Sequence, residues 1–289
     1  MPRATVHVAN VLVAAALRPW SKTAMVNPMQ DAPILQDRLP LFPWADPATR
    51  RLPGIQPVQG RDWLRVDEAY GGQMALRDRL IAGQPDVVHA LLPEAKPAAD
   101  ELYGVVLDWL RAEPGFVARD ASVTRPDGVS VPLNPAEPLL TLGRLVQQDL
   151  CLMEAGDAEY DLTGAILCFP ASWTLAQKIG RPMTGIHQPV EIYDEALAAR
   201  VHRLFQAIRP EQPLWRMNFF TYDDYMLHHP RVEGDWRRQP TGRSYVRCER
   251  QTLLRLPLTQ AVVFAIHTIV VDARSLDEAD YAALHAARH

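Results

Sequence analysis

Apolar residues along this chain recur at two periods, and the period changes part-way. From Asp100 to Arg111, the residues Leu102, Val105, Val106, Trp109 and Leu110 follow helical spacing. Asp67 to Ile81 also predicts a helix, with Tyr70, Met74 and Ile81 on one face and Leu76 and Leu80 beside it, although Arg77 interrupts that face and Gly71-Gly72 weakens it. Leu139 to Met153 reads as a third helix. Ala196 to Ile208 reads as an amphipathic fourth, its face formed by Leu197, Val201, Leu204, Phe205 and Ile208. Leu162 to Phe169 is a short apolar run bounded by turn residues, a strand. Leu214 to Tyr222, Ser244 to Leu254 and Ala261 to Val271 then read as strands, the last two joined across Leu256 to Gln260. Residues 112–136, rich in Pro, Gly and Asp, predict loop or hairpin. Residues 36–62, with Pro40, Pro43, Pro47, Pro53 and Pro57, predict an extended, wrapping segment. Helices come first and strands cluster late, which predicts an α+β fold with an antiparallel sheet. Residues 36–289 are expected to form one domain, preceded by a poorly ordered stretch over 1–35.

Two late strands carry charge where a half-buried strand is normally apolar on its inner face. Side chains in a strand alternate faces, so Arg216 and Asn218 share one face, as do Arg247, Glu249 and Gln251. Such a row either faces water or lines a polar pocket inside the fold.

Composition narrows the function classes. Of 289 residues 48% are apolar and 22% charged, as in globular proteins, and a net charge of −4 without a basic stripe argues against nucleic acid as a partner. Cys151, Cys168 and Cys248 sit in no CxxC or CxxCH arrangement, which argues against a local metal cradle and against covalent heme attachment. Scattered cysteines suit a reducing compartment, so a cytoplasmic protein is expected. No apolar run has the length of a membrane span, and Ala4 to Trp20 lacks the basic and apolar regions of a signal peptide, with Met25 and Met29 as alternative starts. There is no GxGxxG after a strand, no GxxxxGK[ST], no HExxH and no GxSxG. The adjacent His228-His229 reads as part of a solvated loop, since neighbours on a strand face opposite ways.

His187 stands apart. It lies in the loop Ile186-His187-Gln188-Pro189-Val190, stiffened by Pro182 and Pro189 just before the amphipathic helix. A rigid loop suits a metal or heme ligand; the plainer reading is a histidine satisfying nearby backbone.

Several ordered segments resemble one family. They are Leu39-Pro-Leu-Phe-Pro-Trp44, Phe169-Pro-Ala-Ser-Trp173 with Lys178-Ile-Gly180, Ile186-His-Gln-Pro-Val190 with Tyr193, Arg216-Met-Asn218, and Arg247-Cys-Glu-Arg-Gln251 through Arg255-Leu-Pro257. Together, from about Leu39 to Val271, they resemble the heme-dependent oxidative N-demethylases, in particular the heme-bearing α subunit. The resemblance implies a PAS-like antiparallel sheet with helices around non-covalent heme b, and monooxygenation of a small secondary amine such as dimethylamine by O2, releasing formaldehyde. It implies reductase partner subunits that bring electrons from NADPH through FMN and an iron–sulfur cluster, with tetrahydrofolate taking up formaldehyde.

Carried onto these positions, the resemblance makes His187 the iron ligand and places Trp173 and Lys178 at the cofactor. Glu249, Arg247 and Arg216 become the candidate catalytic residues, with Asn218, Gln251 and Glu249 holding the substrate. An internal Arg–Glu network that only pins the sheet is the competing expectation. The chain departs from the family pattern at Glu191, at Gln148-Asp149 and at His267, and His267 is a rival heme ligand or pocket residue, although a core histidine is the commoner outcome. A heme-binding sensor or carrier without turnover is the alternative function.

Overall fold

The computed structural model describes residues 32–50, 54–187, 195–235 and 241–287. In chain order the strands are β1 (Gln56–Pro57), β2 (His89–Leu91), β3 (Val117–Ala118), β4 (Ser122–Thr124), β5 (Ser130–Pro132), β6 (Asp149–Ala155), β7 (Tyr160–Ile166), β8 (Leu214–Tyr222), β9 (Tyr245–Arg255) and β10 (Val262–Asp272). The helices are α1 (Tyr70–Gly83), α2 (Pro85–Val88), α3 (Lys96–Arg111), α4 (Pro138–Gly143), α5 (Met183–His187), α6 (Glu195–Ala207) and α7 (Glu278–Ala286). Strands β3, β4 and β5 form a small sheet inside the expected 112–136 loop region. The others form a seven-stranded sheet in the order β1-β8-β9-β10-β6-β7-β2, antiparallel at every pairing of defined register. The fold is therefore α+β.

Each face of the large sheet has its own cover. One face carries Leu150, Leu152, Leu254, Val263 and Ala265, packed under Leu76 and Leu80 of α1, Leu102, Val106 and Leu110 of α3, and Leu139 and Leu142 of α4. Towards β8 that cover passes to the opening segment, where Leu39 and Trp44 meet Met217, Cys248 and Ile269. The opposite face carries Cys151, Met153, Leu162, Leu253 and Val262 under Leu175 and Phe205, with Ile179, Met183 and Ile186 half-buried beside them. The opening segment wraps as expected: the Gln36 backbone N–H donates to the Val270 carbonyl at 2.9 Å, and Val58 N–H to the Pro213 carbonyl at 2.8 Å. Of the stretch expected to be poorly ordered, residues 1–31 lie outside the described residues, while Ile34 and Leu35 pack half-buried against the core.

Two local conflicts in the sequence resolve in three dimensions. Gly72 inside α1 gives Ile34 room, since an added Cβ would lie a tight 3.0 Å from Ile34 Cγ2. Arg77, the interruption in α1, is fully buried and pairs with fully buried Asp149 at 2.6 Å. The helix expected over Leu139 to Met153 is a correction. The chain forms only the short α4 there, then turns into β6. Residues 149–153 are all buried, and a strand buried on both faces shows no alternation to distinguish it from a buried helix. No helix among the described residues is long and apolar enough to cross a membrane.

Candidate functional site

The register of β8, β9 and β10 merges the charged strands into one patch. Arg216 lies opposite Gln251 and Asn218 opposite Glu249, while Glu249 faces Thr268 on its other side. Directly paired residues share a face. Arg216, Asn218, Arg247, Glu249 and Gln251 are thus brought together. The patch turns inward: Arg247 is 1%, Glu249 6% and Gln251 8% exposed, and Arg216 and Asn218 on β8 are half-buried.

Within the patch Glu249 is the hub. Its Oε1 accepts from Arg247 Nη2 at 3.2 Å and Nε at 3.4 Å; its Oε2 accepts from Gln251 Nε2 at 3.2 Å and Asn218 Nδ2 at 3.3 Å. Arg247 also donates to the carbonyls of Leu227 at 2.8 Å and Phe169 at 2.5 Å, and to Thr268 Oγ1 at 3.4 Å. Arg216 contributes one long bond, Nη1 to Gln251 Oε1 at 3.3 Å. Two buried atoms have no partner: Arg216 Nε, a donor, and Asn218 Oδ1, an acceptor. Burial lowers the Arg216 pKa, opposed by the charge of Glu249.

The segment that covers this face supplies His187. It ends α5, half-buried, with Nδ1 2.8 Å from the Met183 carbonyl. A carbonyl only accepts, so Nδ1 carries a proton, and in the neutral ring this is the tautomer whose Nε2 bears the lone pair. Burial lowers the His187 pKa; the Met183 carbonyl opposes this, and the charges of Lys178 and Arg216 add to it. Burial therefore favours the neutral ring, and Arg216 lies near enough for its charge to be felt there. Lys178 Nζ donates to the Ile186 carbonyl at 2.6 Å and pairs with Glu233, whose other oxygen takes Arg181 at 3.4 Å. Lys178 thus fixes the backbone beside His187 and ties it to the loop carrying Glu233. Trp173 and Ile186 are half-buried against the cluster on this face. Gln188, Pro189, Val190, Glu191 and Tyr193 lie outside the described residues.

A second tier holds the patch in place. Asp149 accepts the backbone N–H of Cys168 at 2.7 Å and of Phe169 at 2.8 Å, and Phe169 returns its carbonyl to Arg247. A continuous chain of bonds therefore runs from Arg77 on α1 to Glu249. His228 Nδ1–H donates to the Cys168 carbonyl at 2.8 Å, and His229 lies 2.9 Å from Asp224. The solvated-loop reading of this pair is corrected: both rings are half-buried and bonded, because the loop packs along residues 168–172, where Ser172 N–H donates to the His229 carbonyl. Sequence reasoning missed the roles of Asp149, Phe169 and Glu233. A guanidinium on an apolar helix face was the signal for Asp149, since a buried cation requires an anion. Glu233 carried no such signal.

His267 lies on the other face. Its Nε2 is 2.9 Å from Asp67 Oδ2 and its Nδ1 2.9 Å from Gln148 Nε2. Both nitrogens are engaged, so the ring is a bonded core histidine. Burial would raise the Asp67 pKa, but the bond and charge of His267 and the bonds from Gln147 and Gln36 outweigh it and hold the carboxyl at about 2.

The family model described as "Haem-dependent oxidative N-demethylase, alpha subunit-like" matches residues 54–288. The chain belongs to this family. Its membership makes it a heme-dependent oxidative N-demethylase-like subunit, and the words "alpha subunit-like" imply an assembly of more than one kind of chain. The matched span includes His187, Lys178, Trp173 and all three strands of the polar patch.

Proposed function

We propose that this chain binds heme b through His187 and is the catalytic subunit of an oxidative N-demethylase acting on a small secondary amine such as dimethylamine, with release of formaldehyde. The observation that carries this reading is the His187 ring, held by the Met183 carbonyl as the tautomer that ligates through Nε2, beside a buried polar sheet face. The chemistry of the residues on this face supports that reading. Trp173, Ile186 and Phe264, half-buried on this face, would give apolar contact to a macrocycle, and two buried polar atoms of the patch have no protein partner. Bound heme supplies oxygen activation and electron transfer.

The chain's own residues supply the rest. A small secondary amine is protonated near neutral pH, and a buried site must balance that charge. Glu249 provides the negative charge, Arg247 and Gln251 hold it rigidly, and Asn218 presents its carbonyl oxygen to an N–H. The reading includes residues 36–289 as a single PAS-like unit in the cytoplasm. It also includes reductase subunits that deliver electrons from NADPH through FMN and an iron–sulfur cluster, and tetrahydrofolate as formaldehyde acceptor. Those parts rest on the family resemblance.

The test is an absorption titration of heme-loaded protein with dimethylamine, followed by a formaldehyde assay with a suitable reductase. Glu249→Gln should keep the heme bands, lose the amine-induced shift and make little formaldehyde. Full amine binding and turnover by that variant would leave Glu249 a structural role. A wild type silent to every small methylated amine would favour a heme sensor or carrier.

A further inference from the structure

Arg216 differs from other buried arginines of this chain. Arg77 and Arg247 meet carboxylates at 2.6 and 3.2 Å. Arg255 meets none, but each of its nitrogens donates to a carbonyl or hydroxyl oxygen. Arg216 has neither solution. Among the described residues no carboxylate lies within ion-pair distance, its one bond is the 3.3 Å contact with the Gln251 amide, and its buried Nε has no acceptor. A guanidinium is always charged and matches a carboxylate in shape.

Two residues along the same strand face, Asn218 shows the complementary gap. Glu249 can only accept, so Asn218 Nδ2 must point at it, and the orphaned Oδ1 is left as an acceptor. At roughly 3.3 Å per residue the two positions lie about 7 Å apart. A short ligand that carries both an acceptor for the guanidinium and an N–H can reach two side chains so spaced.

We infer that Arg216 and Asn218 form a receptor for a carboxylate carried close to an N–H. The guanidinium takes the carboxylate, Asn218 Oδ1 takes the N–H, and Glu249 behind it balances an ammonium charge. This deepens the N-demethylase reading and rests on it: the substrate class is a secondary amine bearing a carboxylate, an N-methylated amino acid, in place of a bare alkylamine. Heme brings carboxylates of its own as propionates, and the arms of the experiment separate the two sources.

In the first arm, calorimetry on the full chain, with and without heme, compares N-methylglycine with dimethylamine. The wild type should bind N-methylglycine about tenfold to a hundredfold more tightly, the range for a bond between charged groups. Arg216→Gln should erase that preference and Arg216→Lys should keep part of it. Asn218→Ala should weaken both ligands, and it remains informative if Arg216→Gln does not fold. In the second arm, release of protoheme and of heme dimethyl ester is timed in wild type and Arg216→Gln. Faster release of protoheme alone from the variant assigns the receptor to a propionate. If the variant changes neither ligand preference nor heme release, the inference is overturned. Failure of the underlying reading looks different: His187→Ala would keep its Soret band while N-methylglycine still bound in preference through Arg216.

Discussion

The two faces of the β8–β9–β10 sheet both carry buried polar networks with a histidine nearby, yet they end differently. On the His267 face, Asp67 takes Gln147, Gln36 and His267, and Gln36 and Gln73 both donate to the Thr268 carbonyl. Two buried atoms there, Gln148 Oε1 and Arg250 Nε, have no partner, but Arg250 pairs with Asp62 at 3.0 Å. On the His187 face Asn218 Oδ1 and Arg216 Nε are unmet, and among the described residues no carboxylate lies within ion-pair distance of Arg216. Burial alone therefore does not mark a site. A partly buried cation without a counter-ion, on the same face as an unmet acceptor, does, because a folded chain ordinarily pairs its buried charges and satisfies its buried polar groups.

Breaking the networks should expose the same difference. The largest effect should come from Arg247→Met. It leaves Glu249 buried without its counter-charge and frees two carbonyls, so urea unfolding should show a loss of about 3–5 kcal/mol. A loss under about 1 kcal/mol would mean that the patch is wet in solution.

Asp67→Asn should cost less, about 2 kcal/mol, and in a pH-specific way. Asp67 is held at about 2, below its ordinary 3.8. Its contribution is thus fully present above about pH 4 and is lost as pH falls through about 2. Stability of the wild type should drop over that window more steeply than that of the variant. Parallel curves would contradict the role given to the Asp67–His267 bond.

The smallest stability change should follow Asn218→Ala, under about 1 kcal/mol, because the variant loses one long bond and removes an unsatisfied acceptor. A large loss by thermal melting would make Asn218 a framework residue like Arg247.

Much of this was legible in the sequence wherever alternation was strong. β8, β9 and β10 fall within one residue of their expected limits, and the shared faces of Arg216 with Asn218 and of Arg247 with Glu249 follow from side-chain period alone. Their merger into one patch was not legible, since it depends on cross-strand register. For His267 the commoner outcome, a core histidine, is the observed one, but its partner was hidden for a similar reason: Asp67 lies 200 residues away in the chain. β6 was misread because its inward and outward residues are equally apolar. Lys178 illustrates a subtler gap: its position beside the candidate cofactor site was expected, while its use as a clamp on the Ile186 carbonyl required Glu233.

The central claim is that the His187 face is the heme side of the sheet, and the most direct measurement is the Soret band of heme-reconstituted variants. Wild type and His267→Ala should both show it, the latter in a less stable protein, while His187→Ala should show none despite a folded circular dichroism spectrum. A normal Soret band in His187→Ala together with its loss in a folded His267→Ala would contradict the account.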